Sequence, residues 1–221
     1  FYIDITRPTI SSVDDSYVKT GATVTVTGTG FSTPAAATEA IKIGTDDDSG
    51  QLSFAIANVA SNTSLTFQAG AGNKKDRLIV TDKAGNQSTS SITMTIDNSV
   101  PVLNSIDKNS IKQGGIATIT GSGFTDSYES PIASLKINNA TTGVGSFNVD
   151  NATTIKLTAG SGNVAHTKIT VTDEAGNAST NDVKIAIDNT APSISSITDT
   201  GGNAKSLGKN GDQIEIRGNN F

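Results

Sequence analysis

Hydrophobic and polar residues alternate with a period of two along most of the chain. Residues 23–27 read Thr-Val-Thr-Val-Thr, and residues 214–216 read Ile-Glu-Ile. This alternation predicts strands with one buried face and one face in water. Gly, Asn, Asp and Ser separate the alternating runs, and these residues favour turns. No segment has a sustained helical period, although one helical turn is expected over residues 34–39.

Seven such runs fall within residues 6–98, and their counterparts follow in residues 99–189. The runs of the first set are Thr9–Val13, Thr23–Thr27, Ala40–Ile43, Leu52–Ile56, Ser64–Gln68, Arg77–Thr81 and Ser91–Ile96. Seven short strands in about 100 residues, with frequent turn signals, are typical of an immunoglobulin-like (Ig-like) sandwich. The chain has no Cys and no Trp, so it lacks the disulfide and the core tryptophan of an antibody domain. The pattern predicts an all-β protein of tandem seven-stranded Ig-like β-sandwiches.

Three motifs recur in register along the chain, which is the signature of internal repeats. They are the Pro at 8, 101 and 192, the Gly-x-Gly-Phe at 28–31 and 121–124, and the Val-Thr-Asp-x-Ala-Gly-Asn at 80–86 and 171–177. The predicted domains are the end of a preceding Ig-like repeat at 1–5, repeat 1 at 6–98, repeat 2 at 99–189, and the start of a third repeat at 190–221. We expect the parent protein to be longer.

Comparison of the two repeats predicts which side chains point inward, because equivalent apolar positions recur in both. The predicted core pairs are Val24/Ala117, Val26/Ile119, Phe31/Phe124, Ile43/Ile137, Phe54/Phe147, Leu65/Ile155, Phe67/Leu157, Val80/Val171, Met94/Ile185 and Ile96/Ile187. Burial of a large aliphatic side chain contributes about 1.5–3 kcal/mol.

These motifs resemble known families. The segment from Pro8 to Phe31 looks like the opening of an IPT/TIG domain, and the segment from Pro101 to Phe124 repeats it. The later Val-Thr-Asp-x-Ala-Gly-Asn, followed by Ser-Thr, a strand and Ile-Asp, resembles the ending of bacterial Ig-like repeats. The resemblance covers essentially the whole chain. It implies an E-set type of sandwich and, in bacteria, a stalk of a large surface adhesin or a related secreted protein.

Composition excludes several classes of site. The 16 Lys and Arg against 21 Asp and Glu give a net charge of −5, which argues against nucleic acid as a partner. Without Cys there is no thiol nucleophile and no Cys-based zinc site. His166 is the sole histidine. The equivalent position of the first repeat holds Lys75 or Asp76, and a position that accepts such different polar residues is expected at the surface. No apolar run approaches the ~20 residues that span a bilayer, so no membrane insertion is expected in this segment. We therefore expect no enzyme activity.

The Asp-x-Ala-Gly-Asn motifs join the last two strands of each repeat and allow two interpretations. In the first, Asp caps a hairpin turn and Gly adopts the left-handed conformation, which alone accounts for the motif. In the second, calcium binds between the repeats, because calcium prefers carboxylate, amide and carbonyl oxygens. The candidate ligands are Asp97, Asn98, Asp173 and Asn177, with Asp14 or Asp15, placed in the first A–B turn, opposite them. No other cofactor is expected.

A second acidic cluster, Asp46-Asp47-Asp48, has no counterpart in the second repeat. Adjacent carboxylates repel one another unless solvent or a cation intervenes. A solvated hairpin tip is the favoured interpretation over an ion site.

Three functions are compatible with this sequence. The favoured one is a structural or adhesive repeat region of a secreted or cell-surface protein, acting as a stiff spacer between neighbouring Ig-like repeats. The second is a subunit of a surface layer or extracellular filament, with other copies of itself as partners. The third is an accessory carbohydrate-binding sandwich of a secreted enzyme, which the aromatic content of 5% disfavours because sugars stack on exposed aromatic rings.

Overall fold

The computed structural model describes residues 3–31, 38–43, 52–54, 56–125, 131–204 and 208–220, and every regular element in them is a β-strand. The strands up to residue 96 are β1 Thr9–Val13, β2 Tyr17–Val18, β3 Thr23–Thr29, β4 Thr38–Ile43, β5 Leu52–Phe54, β6 Ile56–Ser61, β7 Ser64–Gln68, β8 Lys74–Asp82 and β9 Thr93–Ile96. The later strands are β10 Val102–Ile106, β11 Ser110–Ile111, β12 Ile116–Ser122, β13 Ile132–Ile137, β14 Val144–Asn151, β15 Thr154–Ala159, β16 Val164–Asp173, β17 Lys184–Ile187, β18 Ser193–Asp199 and β19 Ile214–Asn219.

Strands β1 to β9 form one sandwich of two sheets, which we call unit 1. The strand orders are β1-β3-β7-β6 and β2-β9-β8-β4-β5. All pairs are antiparallel except β2 with β9. The alternating segment 23–27 lies in β3, where Val24 and Val26 face the core. The predicted alternation is therefore confirmed in this strand.

Strands β10 to β17 form a second sandwich, unit 2, with the same connectivity. Its sheets have the orders β10-β12-β15-β14 and β11-β17-β16-β13, and β11 again runs parallel to β17. The pairing of β10 with β12 has the same bulge as that of β1 with β3. The described part of unit 2 contains no counterpart of β5.

The described part of unit 1 has nine strands and that of unit 2 has eight, rather than the seven predicted for each repeat. The two-residue strands β2 and β11 were not predicted. Two predicted elements also differ in their bounds or type. The predicted strand Leu52–Ile56 contains parts of two strands, because β5 pairs with β4 whereas β6, which begins at Ile56, pairs with β7 in the opposite sheet. The predicted helical turn at 34–39 lies mostly outside the described residues, and its last two positions begin β4.

The first strand of each unit crosses between the sheets, which places Asp14 differently from the prediction. Strand β1 pairs with β3 in one sheet, and β2 then pairs with β9 in the other. Asp14 lies between β1 and β2. Its backbone N–H donates to the Thr25 carbonyl, and its Oδ1 accepts the Thr25 N–H at 2.8 Å. Asp107 makes the equivalent bonds to Thr118 in unit 2.

The buried apolar side chains form two clusters, one from Ile10 to Ile96 and one from Leu103 to Ile187. Every predicted core side chain that the structure describes is buried, except that of Phe147. Phe147 is half-buried and packs against the second cluster, and the side chain of Ile43 lies outside the described part. The boundaries predicted near residues 98 and 189 stay predictions.

The Gly-x-Gly-Phe motif has a packing role in both units. A Cβ atom on Gly28 would overlap the Thr9 carbonyl oxygen and lie 2.6 Å from the Phe31 ring. Phe31 is fully buried, so the glycine lets this ring lie against β3 and under β1. Gly121 and Phe124 repeat the arrangement.

Strands β18 and β19 form a hairpin after unit 2. Their pairing repeats that of β10 with β12, including the bulge after the second residue of the first strand. Ile194 corresponds to Leu103, but Ile194 is 59% exposed whereas Leu103 is 1% exposed. The apolar face that is buried in unit 2 is therefore open in this hairpin.

Candidate functional site at the junction of units 1 and 2

The loop at residues 173–177 is closed by its first and last residues. Oδ1 of Asp173 accepts the Asn177 backbone N–H at 2.8 Å, and Oδ2 accepts the Asn177 side-chain amide at 3.0 Å. Gly176 has φ of 83°, the left-handed conformation that favours glycine. The predicted turn chemistry is confirmed here, and it fixes the direction of the Asn177 side chain.

The equivalent loop of unit 1 has the same geometry. Oδ1 and Oδ2 of Asp82 accept the backbone and side-chain N–H groups of Asn86 at 2.8 and 2.9 Å. Gly85 has φ of 86°. The loop is thus a preformed unit that the sequence Asp-x-Ala-Gly-Asn specifies.

A serine two residues after each Asn bonds the segment that follows the loop to the strand that precedes it. We did not predict this role. The Val171 N–H donates to the Ser179 hydroxyl at 3.1 Å, and the Val80 N–H donates to Ser88 at 3.0 Å. Both serines are buried. The signal in the sequence is the recurrence of Ser at the same place after both motifs.

The Asn177 side chain joins unit 2 to the linker that precedes it. Its amide donates to the Asp97 backbone carbonyl at 3.0 Å, in addition to its bond with Asp173. In unit 1 the Asn86 amide donates in the same way to the Asp4 carbonyl, at 3.2 Å. One amide therefore connects the loop of each unit to its own incoming chain.

Unit 1 contacts the same loop directly through Lys19. Its ammonium donates to the Gly176 carbonyl at 2.7 Å. A Cβ atom on Gly176 would lie 3.7 Å from the Lys19 Nζ, so the lysine lies against the loop. This contact joins residues 157 positions apart, and nothing in the local pattern of either segment predicts it.

Asn98 anchors the linker on the side of unit 1. Its Oδ1 accepts the Thr20 N–H at 2.8 Å, and its own backbone N–H donates to the Asn73 Oδ1 at 2.9 Å. Its side-chain amide also donates to the Gly72 carbonyl at 3.0 Å. The linker is thus tied to unit 1 by Asn98 and to unit 2 through Asp97.

Two carboxylates and one amide side chain are buried at the junction. Asp97, Asp173 and Asn177 are 1%, 3% and 6% exposed. Burial raises the pKa of Asp173 above its ordinary value of 3.8, hydrogen bonds from Asn177 and Gly176 oppose this, and the nearby Asp97 charge raises it further. The Asp97 Oδ1 accepts the Ser99 N–H at 2.8 Å.

The structure brings together only part of the predicted calcium ligands. Asp97, Asp173 and Asn177 meet at the junction, and Asn98 lies beside them but bonds to unit 1. The predicted placement of Asp14 and Asp15 in the A–B turn is wrong, because both precede β2 and this turn lies at residues 19–22. Asp14 bonds to Thr25, and the Asp15 Oδ1 accepts the Tyr17 N–H at 3.0 Å.

Within the described residues, no three acidic or histidine side chains lie close enough to hold a metal ion together. Calcium at the junction stays a prediction.

The two other candidate sites lie away from the junction loops in the sequence. The acidic cluster at 46–48 lies outside the described residues. His166 is exposed, as predicted.

None of the described aromatic side chains is fully exposed. Phe31, Phe54, Phe67 and Phe124 are buried, while Tyr17 and Phe147 are half-buried. The described part of the chain also contains no helix able to cross a membrane.

Comparison with known proteins supports the fold. Residues 101–187, which span β10 to β17, match the IPT/TIG domain family. The fold is all-β and immunoglobulin-like. No protein with a curated description matches the chain.

Three solved structures illustrate the similarity. The SGBP-B of a Bacteroides ovatus mixed-linkage glucan utilization locus, in complex with a mixed-linkage heptasaccharide, is 19% identical with a TM-score of 0.31, over 82% of this chain and 45% of that one. The Escherichia coli adhesin FdeC is 17% identical with a TM-score of 0.34, over 90% and 68%. A gamma-CGTase from the alkalophilic Bacillus clarkii is 14% identical with a TM-score of 0.37, over 81% and 25%. The chain thus spans less than half of the SGBP-B, and at these values the similarities concern the fold alone.

Proposed function

We propose that this chain is a structural repeat region of a secreted or cell-surface protein, in which successive Ig-like units form a stiff spacer. The observation that carries the proposal is the pair of bonds at the junction. Asn177 binds the linker at Asp97, and Lys19 of unit 1 binds the same loop at Gly176. Unit 2 is therefore held by the linker and by the body of unit 1.

Bending at this junction requires these bonds to break. A typical intramolecular hydrogen bond contributes about 0.5–1.5 kcal/mol, and leaving a buried acceptor without a donor costs about 1–3 kcal/mol. The Asp97 carbonyl belongs to a buried residue, so a bend that pulls Asn177 away leaves it without this donor. Pro101 at the start of unit 2 further limits the linker by fixing its φ.

One feature of the chain supports a spacer over a sugar-binding sandwich. The described aromatic rings are all buried or half-buried, whereas stacking on a sugar requires an exposed ring. The resemblance to IPT/TIG and bacterial Ig-like repeats supports a position outside the cell, and the absence of Cys is compatible with a fold that does not depend on oxidation.

Distance measurements between spin labels test the stiffness. The chain has no native Cys, so Thr27→Cys in unit 1 and Lys136→Cys in unit 2, both exposed, give a uniquely labelled pair. We expect one narrow distance distribution. Lys19→Met combined with Asn177→Ala should broaden it. The matched control is Lys108→Met, since Lys108 donates to the Ile116 carbonyl within unit 2 and should leave the distribution unchanged.

A wild-type distribution as broad as that of the double variant would contradict the proposed stiffness. The proposed location has its own test. An antibody raised against this chain should label intact source cells or their medium, and labelling that requires cell lysis would contradict it.

A further inference from the structure

Unit 1 ends in a set of residues that contacts the 173–177 loop of unit 2. The end of unit 2 carries an equivalent set. We call this surface the exit socket and define it as Lys112, Gln113 and residues 188–192. In register, Lys112 and Gln113 correspond to Lys19 and Thr20, and residues 188–190 correspond to 97–99.

The hydrogen bonds of the exit socket match those of the occupied junction. The Asn189 Oδ1 accepts the Gln113 N–H, as that of Asn98 accepts the Thr20 N–H. The Asn189 backbone N–H donates to the Asn163 Oδ1 at 2.8 Å, and its side-chain amide donates to the Gly162 carbonyl at 2.9 Å. The exit socket is therefore preformed.

The Asp of the exit socket is positioned like its counterpart but is uncovered. The Thr190 N–H donates to the Asp188 Oδ1 at 2.8 Å, as the Ser99 N–H does to Asp97. Asp97 is 1% exposed under the loop of unit 2, whereas Asp188 is exposed.

The charged end of Lys112 is also uncovered. Among the described residues no acceptor binds its ammonium, although Lys19 at the equivalent place binds Gly176. Beside it lies an open pocket of about 460 Å³, lined by Lys112, Gln113 and residues 188–192.

We propose that the exit socket binds the Asp-x-Ala-Gly-Asn loop of a further Ig-like unit that follows Pro192. The Asn amide of that loop donates to the Asp188 carbonyl, and Lys112 donates to the carbonyl of the loop Gly. This inference rests on the proposed function, whose junction it extends to a second site. Strands β18 and β19 support it, because they start in the register of β10 and β12 directly after the exit socket.

The chemistry of the exit socket favours this loop over a simple anion. The socket offers a carbonyl acceptor at Asp188 and a cationic donor at Lys112, beside the negative Asp188 carboxylate. The loop supplies the matching donor and acceptor from Asn and Gly. In a second copy the loops at 82–86 and 173–177 are less suited, because Asn86 and Asn177 already donate to the Asp4 and Asp97 carbonyls of the incoming chain.

NMR titration of the full 221-residue chain tests the proposal. The probe is a disulfide-closed hairpin peptide with the sequence of residues 171–179. Contacts that act within one chain at millimolar effective concentration bind weakly in trans, so the titration should extend to about 10 mM peptide. We expect saturable shifts centred on Lys112, Gln113 and residues 188–190.

Two matched changes define the result. A peptide carrying Ala for the Asn should bind about tenfold more weakly, since a lost hydrogen bond of about 1.4 kcal/mol corresponds to that factor. Lys112→Ala in the chain should weaken binding, and Lys108→Ala should leave it unchanged. Absence of saturable shifts, equal binding of the Ala peptide, or peptide-free shifts at these residues that grow with protein concentration would each overturn the proposal. None of these outcomes alters the spin-label distances between units 1 and 2, so the two proposals fail separately.

Discussion

The Asn177 side-chain amide lies 3.0 Å from the Asp97 carbonyl oxygen and joins the last loop of unit 2 to the linker that enters this unit. The same amide is held by Asp173 within its own loop. A turn motif therefore also serves as an interdomain contact. This double use explains how a short sequence can specify both a hairpin and the way in which two sandwiches are joined.

The substitution Asn177→Ala should destabilise unit 2 more than the matched Asn86→Ala destabilises unit 1. Asn177 is buried, so its loss leaves the Asp97 carbonyl without this donor, at about 1–3 kcal/mol. Asn86 is half-buried, and water can replace it at about 0.5–1.5 kcal/mol. Urea denaturation of both variants measures the difference. Equal losses would show that the bond to the linker adds nothing.

The raised pKa of Asp173 gives the junction a defined pH dependence. Burial makes the folded chain hold this proton more tightly than the unfolded chain, whose Asp value is close to 3.8. Its stabilising contribution is complete below that pH and is lost as the pH rises through the raised pKa. As the pH rises through this pKa, the Tm of the wild-type chain should therefore fall relative to the Tm of the Asp173→Asn variant. Parallel Tm profiles of the two proteins would contradict the assignment.

The two interpretations of the Asp-x-Ala-Gly-Asn motif predict different responses to calcium. A bound ion at the junction would raise the Tm as calcium is added. Turn chemistry alone, in which both oxygens of Asp173 accept N–H groups of Asn177, predicts no change. Thermal melts with calcium or with a chelator decide between them. A rise in Tm that Asp97→Asn abolishes would establish the calcium site.

The substitution Gly121→Ala should strongly destabilise unit 2. The added methyl would overlap the Val102 carbonyl oxygen and lie 2.5 Å from the Phe124 ring, and such overpacking costs about 1–3 kcal/mol. The matched control is Gly208→Ala, where the nearest atom lies 3.8 Å away in Asp212 and a change within about 0.5 kcal/mol is expected. Denaturant midpoints compare them. A tolerated Gly121→Ala would show that the Phe124 ring is free to shift.

The sequence by itself determined the alternating core strands and the Asp-x-Ala-Gly-Asn loops. Alternation placed Val24 and Val26 inward because successive residues of a strand face opposite sides. The Asp-x-Ala-Gly-Asn turn was equally predictable, because its bonds close within five residues.

Only the tertiary structure decided what depends on pairing between distant segments. The crossing of the first strand placed Asp14 before β2, where it bonds to Thr25, and the predicted strand Leu52–Ile56 contains parts of strands in two different sheets. The contact of Lys19 with Gly176 joins residues of the two units and depends on how these units pack against each other. Local patterns record which face of a strand is buried, but the choice of partner is set by packing between segments that are far apart in the sequence.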